Sequence, residues 1–205
     1  MATTDDLRST YNTVAKDYYF DHIGDTWDND YIILFVKNLP KSARVLDLGC
    51  GPGTDTLKLK AAGLNVEGFD LSDDLLAIAR KNNPAVTFTQ GDMRKPPYKD
   101  RLFDGVFAKA SLLHIPKSEI SSVLAEVIRI LKPRGLVHIA VKKGQGEQEE
   151  TESDYGYSYT RFFSYWAMDE LVNVLQNAGL KVTNKTETLS NSGKTTWLKI
   201  IAQKS

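Results

Sequence analysis

Apolar runs alternate with amphipathic stretches from residue 43 to about residue 142, the rhythm of a parallel sheet covered by helices on both faces. The runs predict strands at 44–48, 65–69, 86–90, 103–108 and 136–142, and the intervening stretches predict helices near 54–62, 73–82 and 118–131. Punctuation agrees with the period. Gly63 closes the first helix, Ser72 is placed to cap the second while Leu75, Leu76 and Ile78 face inward, and Lys132, Pro133, Arg134 and Gly135 break the third. A polar insertion follows at 142–160, then an amphipathic helix over 167–178 closed by Gly179. Two further strands, 180–188 and 195–203, flank the turn-rich LSNSGK and read as a hairpin. Helical stretches at 4–20 and 28–38 precede the sheet. No repeat, linker or second core interrupts the pattern, so residues 1–205 read as one domain. The acidic run from Glu147 to Asp154 reads as a solvated loop.

Composition narrows the function. The 205 residues carry 26 basic and 26 acidic side chains, so the basic excess of a dedicated nucleic-acid binder is missing. Cys50 is the only cysteine, which fits a reducing compartment, and filling space is the role expected of it. The N-terminal stretch has acidic residues and no long apolar run, so neither a signal peptide nor a membrane anchor is expected, and the protein is expected in the cytoplasm. No His, Cys and Asp cluster has metal-ligand spacing, so no metal is expected.

The densest chemical signal is Val45 to Thr54, VLDLGCGPGT: a buried strand running into a turn with Gly49, Gly51 and Gly53 at alternate positions. Glycines there let the backbone take positive φ and approach a ligand, and the following helix points its first amides at the turn. Dinucleotide sites use G-x-G-x-x-G and lodge a pyrophosphate on those amides. The spacing here is G-x-G-x-G, with Asp47 two residues ahead, which suits a cationic or zwitterionic cofactor better. Taken alone, the three glycines also leave open a tight strand-to-helix connection with no ligand. Asp70 closes the second strand in GFDLS, where a carboxylate can accept from both hydroxyls of a ribose or cap the next helix.

With these motifs in place, the chain resembles the class I S-adenosylmethionine-dependent methyltransferases, most of all small-molecule enzymes related to those that C-methylate quinones. The resemblance covers residues 44–142 in five ordered motifs: the glycine turn, GFDLS, QGDM at 90–93, FDGVFAKASLLHI at 103–115 and LKPRG at 131–135. It implies an α/β fold, a Rossmann-like doubly wound seven-stranded sheet of order 3-2-1-4-5-7-6 with the last strand antiparallel, and an N-terminal helical lid over residues 1–40. It also implies roles. The turn would cradle the amino acid end of S-adenosylmethionine and Asp47 would accept from its ammonium. Asp70, with Leu71 beside it, would hold the ribose, while Asp92 and Met93 would hold the adenine. Ala108 and Lys109 would border the cofactor, and Tyr11 and Tyr18 would close over it.

Methyl transfer from a sulfonium is a direct displacement, needing alignment and a base only when the nucleophile holds its proton. His114 is the leading candidate for a base, with a packing role equally open. Tyr19 is a further candidate from the N-terminal segment, whose aromatics could instead staple the helix to the sheet; His138, inside a strand, reads as structural. The insertion 143–166 is expected to cap the acceptor. Tyr157, Tyr159 and Arg161 alternate onto one face of an extended segment, so Arg161 could meet an anionic acceptor walled by tyrosines, or could pair with the acidic run. The leading expectation is a small-molecule methyltransferase with an aromatic or anionic acceptor, working as a monomer or homodimer. RNA or protein methylation and a non-catalytic S-adenosylmethionine-binding protein are the alternatives. A nicotinamide oxidoreductase is disfavoured by the glycine spacing and Asp47.

Overall fold

The computed structural model describes residues 3–205. Two helices, α1 (Thr4–His22) and α2 (Asn29–Lys37), lead into β1 (Arg44–Leu48), α3 (Thr54–Ala61), β2 (Asn65–Asp70), α4 (Asp73–Asn82), β3 (Thr87–Gln90) and β4 (Phe103–Lys109). After a 3₁₀ turn at Leu112–His114 come α5 (Lys117–Ile130), β5 (Leu131–Lys142), β6 (Glu147–Glu152), β7 (Tyr159–Ser164), α6 (Met168–Asn177), β8 (Leu180–Leu189) and β9 (Thr196–Lys204). The seven-stranded sheet runs β3-β2-β1-β4-β5-β9-β8, which is the expected 3-2-1-4-5-7-6 once the two strands of the insertion are set aside. β1 to β5 are parallel, and β9 runs antiparallel to both of its neighbours.

Strand alternation sorts the core into two layers. Val45, Phe107 and Ile201 join α2 residues Tyr31, Ile32 and Phe35 on one face. Leu46, Val106, Val137 and Ile200 meet Leu124 and Val127 of α5 and Leu171 and Leu175 of α6 on the other. Local signals set the helix starts: Ser72 Oγ accepts from the Leu75 amide at 3.1 Å, and Thr3 forms a capping box with Asp6.

Two expectations are corrected. LKPRG does not sit between elements, because Leu131 already pairs with Phe103 and the break is absorbed as a register shift, with Arg134 at φ 64°. The acidic run is not a solvated loop. Glu147 to Glu152 form β6, antiparallel to β7 with Glu150 opposite Arg161 and Thr151 opposite Thr160. No residue of β6 is buried, so its sequence lacks the alternation that marks a strand; the ladder to β7 holds it.

Candidate active site

The parallel strands end on one side, and the glycine turn sits at the point where β2 and β4 leave β1 in opposite directions, the place where open α/β sheets bind ligands. The turn is tied to its neighbour strand: the amides of Gly49 and Cys50 donate to the Phe69 carbonyl at 2.7 and 3.1 Å. The three glycines share positive φ, yet do different work. A Cβ on Gly49 would lie 2.2 Å from Ser111 Cβ, and one on Gly53 would meet Asn83, Ala79 and Phe88 at 3.0–3.3 Å. On Gly51 it would touch only Leu75, at 4.0 Å, because that position faces open space. Gly53 is therefore a packing glycine and lines neither cavity described below.

Two cavities meet over this turn. A narrow one of about 70 Å³ is lined by Gly49, Gly51, Asp70, Leu71, Asp92, Met93 and Ser111, with Leu7, Arg8 and Tyr11 of α1 as its outer wall. A larger one of about 610 Å³ runs from the turn past Lys109, Lys142 and Arg161 to residues 190–192. Tyr11, Tyr18, Gly49, Gly51, Ala110 and His114 border both.

The carboxylates at the strand ends differ in their settings. Asp70 Oδ2 accepts from the Gly51 amide at 2.7 Å and Oδ1 from the Ser72 amide at 2.8 Å, so this side chain shapes the glycine turn while it lines the narrow cavity. Burial raises its pKa against those bonds. Asp92 accepts from the Arg94 amide at 2.9 Å and pairs with the Arg94 guanidinium, which Glu119 holds at 2.5 Å. Asp47 lies behind the turn, 2% exposed, its Oδ2 accepting from Thr56 Oγ1 at 2.5 Å, and it lines neither cavity. Burial pushes its carboxyl up to about 7.

The candidate catalytic residues separate. His114 Nδ1 lies 2.7 Å from the Phe162 carbonyl, which can only accept, so Nδ1 carries the hydrogen and Nε2 holds the lone pair. Nε2 lies 2.7 Å from the Tyr11 hydroxyl, which donates to it. Burial, reinforced by Arg161 and Lys142, pushes the imidazole down to about 3. Both the low basicity and the occupied lone pair argue against His114 as a free base. Arg161 is not free to meet an anion: Nη2 and Nε grip Glu152 at 2.5 and 2.7 Å, and Nη1 approaches the Tyr11 oxygen at 3.4 Å. Of the two readings of Arg161, pairing with the acidic run is the one the structure contains. Tyr159 is buried against Tyr155, ring planes 11° apart, and lines the larger cavity; Tyr19 packs on Phe20 and lines neither.

Ala108 is fully buried in the core, and Lys109 directs its ammonium to Asp55 at 2.8 Å and over the Trp27 ring. Directly after β4, Ala110, at φ 53°, and Ser111 line the narrow cavity, followed by His114 and Ile115. Sequence reasoning missed Ser111, and also Trp27 and Trp197, whose rings stack 4.4 Å apart beside the larger cavity, and Lys142 at the end of β5. Ser111 lies within the FDGVFAKASLLHI motif, where no local signal singles it out, and the sequence around Trp27, Lys142 and Trp197 carries no motif.

Comparison with known proteins agrees with this geometry. A sequence model described as a methyltransferase domain matches residues 45–135. A demethylmenaquinone methyltransferase of Chlorobaculum tepidum is 31% identical over 142 residues, spanning 65% of this chain and 58% of that protein. Among solved structures, the Burkholderia thailandensis 1,6-didemethyltoxoflavin-N1-methyltransferase, crystallised with 1,6-didemethyltoxoflavin and S-adenosylhomocysteine, superposes with a TM-score of 0.80 at 21% identity, covering 100% of this chain and 92% of its own. The [4+2]-cyclase SpnF shares the fold too, with a TM-score of 0.75 at 19% identity over 99% of this chain and 97% of its own. The match to a methyltransferase-domain model, the relatives and the shared fold make the chain similar to the class I S-adenosylmethionine-dependent methyltransferases. It spans less than two thirds of the length of the curated relatives it matches.

The residues present fit that family's cofactor. Ser111 Oγ is buried in the narrow cavity without a hydrogen-bond partner, Gly51 leaves room where a Cβ would stand, and each Asp70 oxygen keeps a lone pair beyond its backbone bond. Among the described residues, no group of three or more His, Cys, Asp or Glu side chains could hold a metal ion, and no helix is long and apolar enough to cross a membrane.

Proposed function

We propose that this protein transfers a methyl group from S-adenosylmethionine to a small molecule held in the larger cavity. The observation that carries the reading is the meeting of the two cavities over Gly49 and Gly51, one lined by carboxylates at strand ends and the other by aromatic rings. Asp70 and Asp92, with Leu71, Met93 and Ser111, would hold the nucleoside, and the turn with Asp47 behind it would hold the amino acid end. When bound, the cofactor supplies an electrophilic methyl on a sulfonium.

The chain's own residues orient and exclude water. Tyr11 and Tyr18 stand at the junction of the cavities, and Tyr11 is fixed there by His114 and Arg161. Trp27, Trp197, Phe163 and Tyr159 offer a flat acceptor rings to lie against. Of the expected lid, α1 covers the cavities and acts as a lid, with 143–166 as a cap, whereas α2 packs into the core through Tyr31, Ile32 and Phe35. α1 is fastened by side chains: Thr10 Oγ1 donates to the Thr160 carbonyl at 3.0 Å, Ser72 Oγ donates to Asn12 Oδ1 at 2.7 Å, and Tyr157 donates to Asp17 at 2.7 Å. Lifting of α1 from these bonds would widen the narrow cavity for cofactor entry.

Calorimetry with S-adenosylhomocysteine tests the cofactor, and labelled S-adenosylmethionine incubated with fractionated metabolites, tRNA and protein tests the acceptor. Label in the small-molecule fraction is the expected result, and label in tRNA or protein overturns it. Because a cyclase also has this fold, binding without transfer to any fraction would make the chain a binding protein or a catalyst of another reaction.

A further inference from the structure

The charge lining of the larger cavity is settled by its ion pairs. Three fixed cations face it, and each has a carboxylate: Lys109 with Asp55 at 2.8 Å, Arg161 with Glu152 at 2.5 Å, and Lys142 with Glu150 at 3.4 Å. Burial pulls Lys142 down from its usual range, its ammonium lying 3.5 Å from the centre of the Phe163 ring. Three more carboxylates line the cavity, Asp21, Asp25 and Asp154. Among the described residues, no lysine or arginine side chain forms an ion pair with their carboxylates; the Tyr155 hydroxyl lies 3.5 Å and the His22 imidazole 3.7 Å from Asp21, and Lys58 Nζ donates to the Asp25 backbone carbonyl at 2.8 Å. Asp25 is half-buried, whereas Asp21 and Asp154 are exposed at the mouth. Between mouth and glycine turn the walls are aromatic: the stacked Trp27 and Trp197, Tyr155 against Tyr159, Tyr18 and Phe163.

An acidic entrance leading to ring faces attracts positive charge, through long-range steering at the mouth and through the ring quadrupoles inside. An anionic acceptor would find no cation without a partner, and would have to displace a carboxylate from Lys109, Lys142 or Arg161. An acceptor whose proton must be removed by the protein would not find its base in His114, whose lone pair already receives the Tyr11 hydroxyl.

We infer that the methyl acceptor is a small amine, methylated on nitrogen. This rests on the methyltransferase reading above and narrows its acceptor. The amine arrives as an ammonium and reacts in the fraction that has lost a proton to solvent. Its nitrogen lone pair forms the new N–C bond while the methyl–sulfur bond breaks, the electron pair of that bond staying on sulfur. Positive charge thereby passes from sulfur to nitrogen, toward Asp25 and the ring faces, and the product leaves as an N-methylammonium or, after losing a proton to solvent, as the neutral methylamine. Three carboxylates without a paired cation favour that movement of charge, where a surplus of free lysines would oppose it.

The test uses the full chain saturated with S-adenosylhomocysteine and a panel of matched arylethylamines and arylpropionates, titrated by calorimetry at low and high ionic strength. Each amine is expected to bind about tenfold more tightly than its acid partner, with the gap narrowing in salt. An Asp25→Asn/Asp154→Asn protein is expected to bind S-adenosylhomocysteine as before and to lose most of the preference for amines. Labelled methyl from S-adenosylmethionine is expected on nitrogen. Amines that bind no more tightly than their acids across the panel, or a preference untouched in the double variant, overturn the inference while leaving the methyltransferase reading intact. Failure of S-adenosylhomocysteine to bind the unaltered protein removes that reading, and the inference with it.

Discussion

The Tyr11 hydroxyl donates to His114 Nε2 across 2.7 Å, joining α1 to the turn after β4 at the junction of the two cavities. This bond fixes the orientation of both rings and takes the lone pair that a general base would need. His114 is accordingly a positioning residue in this arrangement, held from its other side by the Phe162 carbonyl.

The pH profile should carry the signature of that arrangement. With the imidazole pushed down to about 3 by burial, it stays neutral across the working range. At saturating S-adenosylmethionine, initial rates with an amine acceptor should rise tenfold per pH unit below the amine's own pKa and show no break near 6.5 from His114. A break there that disappears in His114→Asn would restore His114 as the base.

Tyr11→Phe leaves His114 Nε2 buried without a donor and removes the oxygen that faces Arg161. The cost should be about 1–3 kcal/mol in stability by denaturant titration. S-adenosylhomocysteine binding should weaken as well, because the variant loosens α1 where it walls the narrow cavity.

Asp47 trades stability for charge. Its carboxyl is raised to about 7 by burial, so the folded state binds more protons than the unfolded chain between pH 4 and 7. Stability therefore falls as pH rises through that window, by up to about 4 kcal/mol for a shift of this size. Asp47→Asn should flatten the fall, giving a Tm above the unaltered protein at pH 8 and near it at pH 4. The same variant removes a buried carboxylate behind the glycine turn, so on the proposed cofactor reading it should bind S-adenosylhomocysteine more weakly. In the unaltered protein that affinity should drop as pH falls below 7, since protonation competes with the ligand's positive charge.

The glycines give a contrast within one turn. Gly53→Ala places a Cβ against Asn83, Ala79 and Phe88 at φ 79°, and should destabilise by about 2 kcal/mol or more. Gly51→Ala meets little in the fold, so beyond the strain of an alanine at φ 50° it should cost little in packing, while the Cβ intrudes on the cavity and the Kd for S-adenosylhomocysteine rises. Comparing Tm with Kd for the two variants checks the division.

Glu152→Gln removes the charge that Arg161 now spends inside the insertion. Arg161 is 13% exposed, so losing its partner should destabilise by about 3 kcal/mol. Carboxylate-bearing acceptors should gain affinity in this variant relative to amines, which competition calorimetry measures directly.

The sequence by itself determined the sheet, its order of helices and strands, the glycine turn and the carboxylates that end β2 and follow β3. These are local matters: period, punctuation and short spacings are written within a few residues of where they act. What only the tertiary structure decided lies between segments far apart in the chain. Ala108 is in the core and Ser111 at the cavity because the turn at Ala110 redirects the backbone after β4. Gly53 packs on α4, a contact made by a neighbour 26 residues on, at Ala79. Glu147 to Glu152 become a strand through pairing with β7, since nothing in an exposed acidic run prefers that shape without a partner edge. Tyr11 meets His114 across 103 residues, and Arg161 takes Glu152 in preference to an acceptor because the β6–β7 ladder brings them side by side. Side-chain type is local, whereas charge neutralisation and hydrogen-bond pairing depend on what the fold sets opposite each group. For that reason the donor could be read from the residues, while the character of the acceptor site waited on the ion pairs around the cavity.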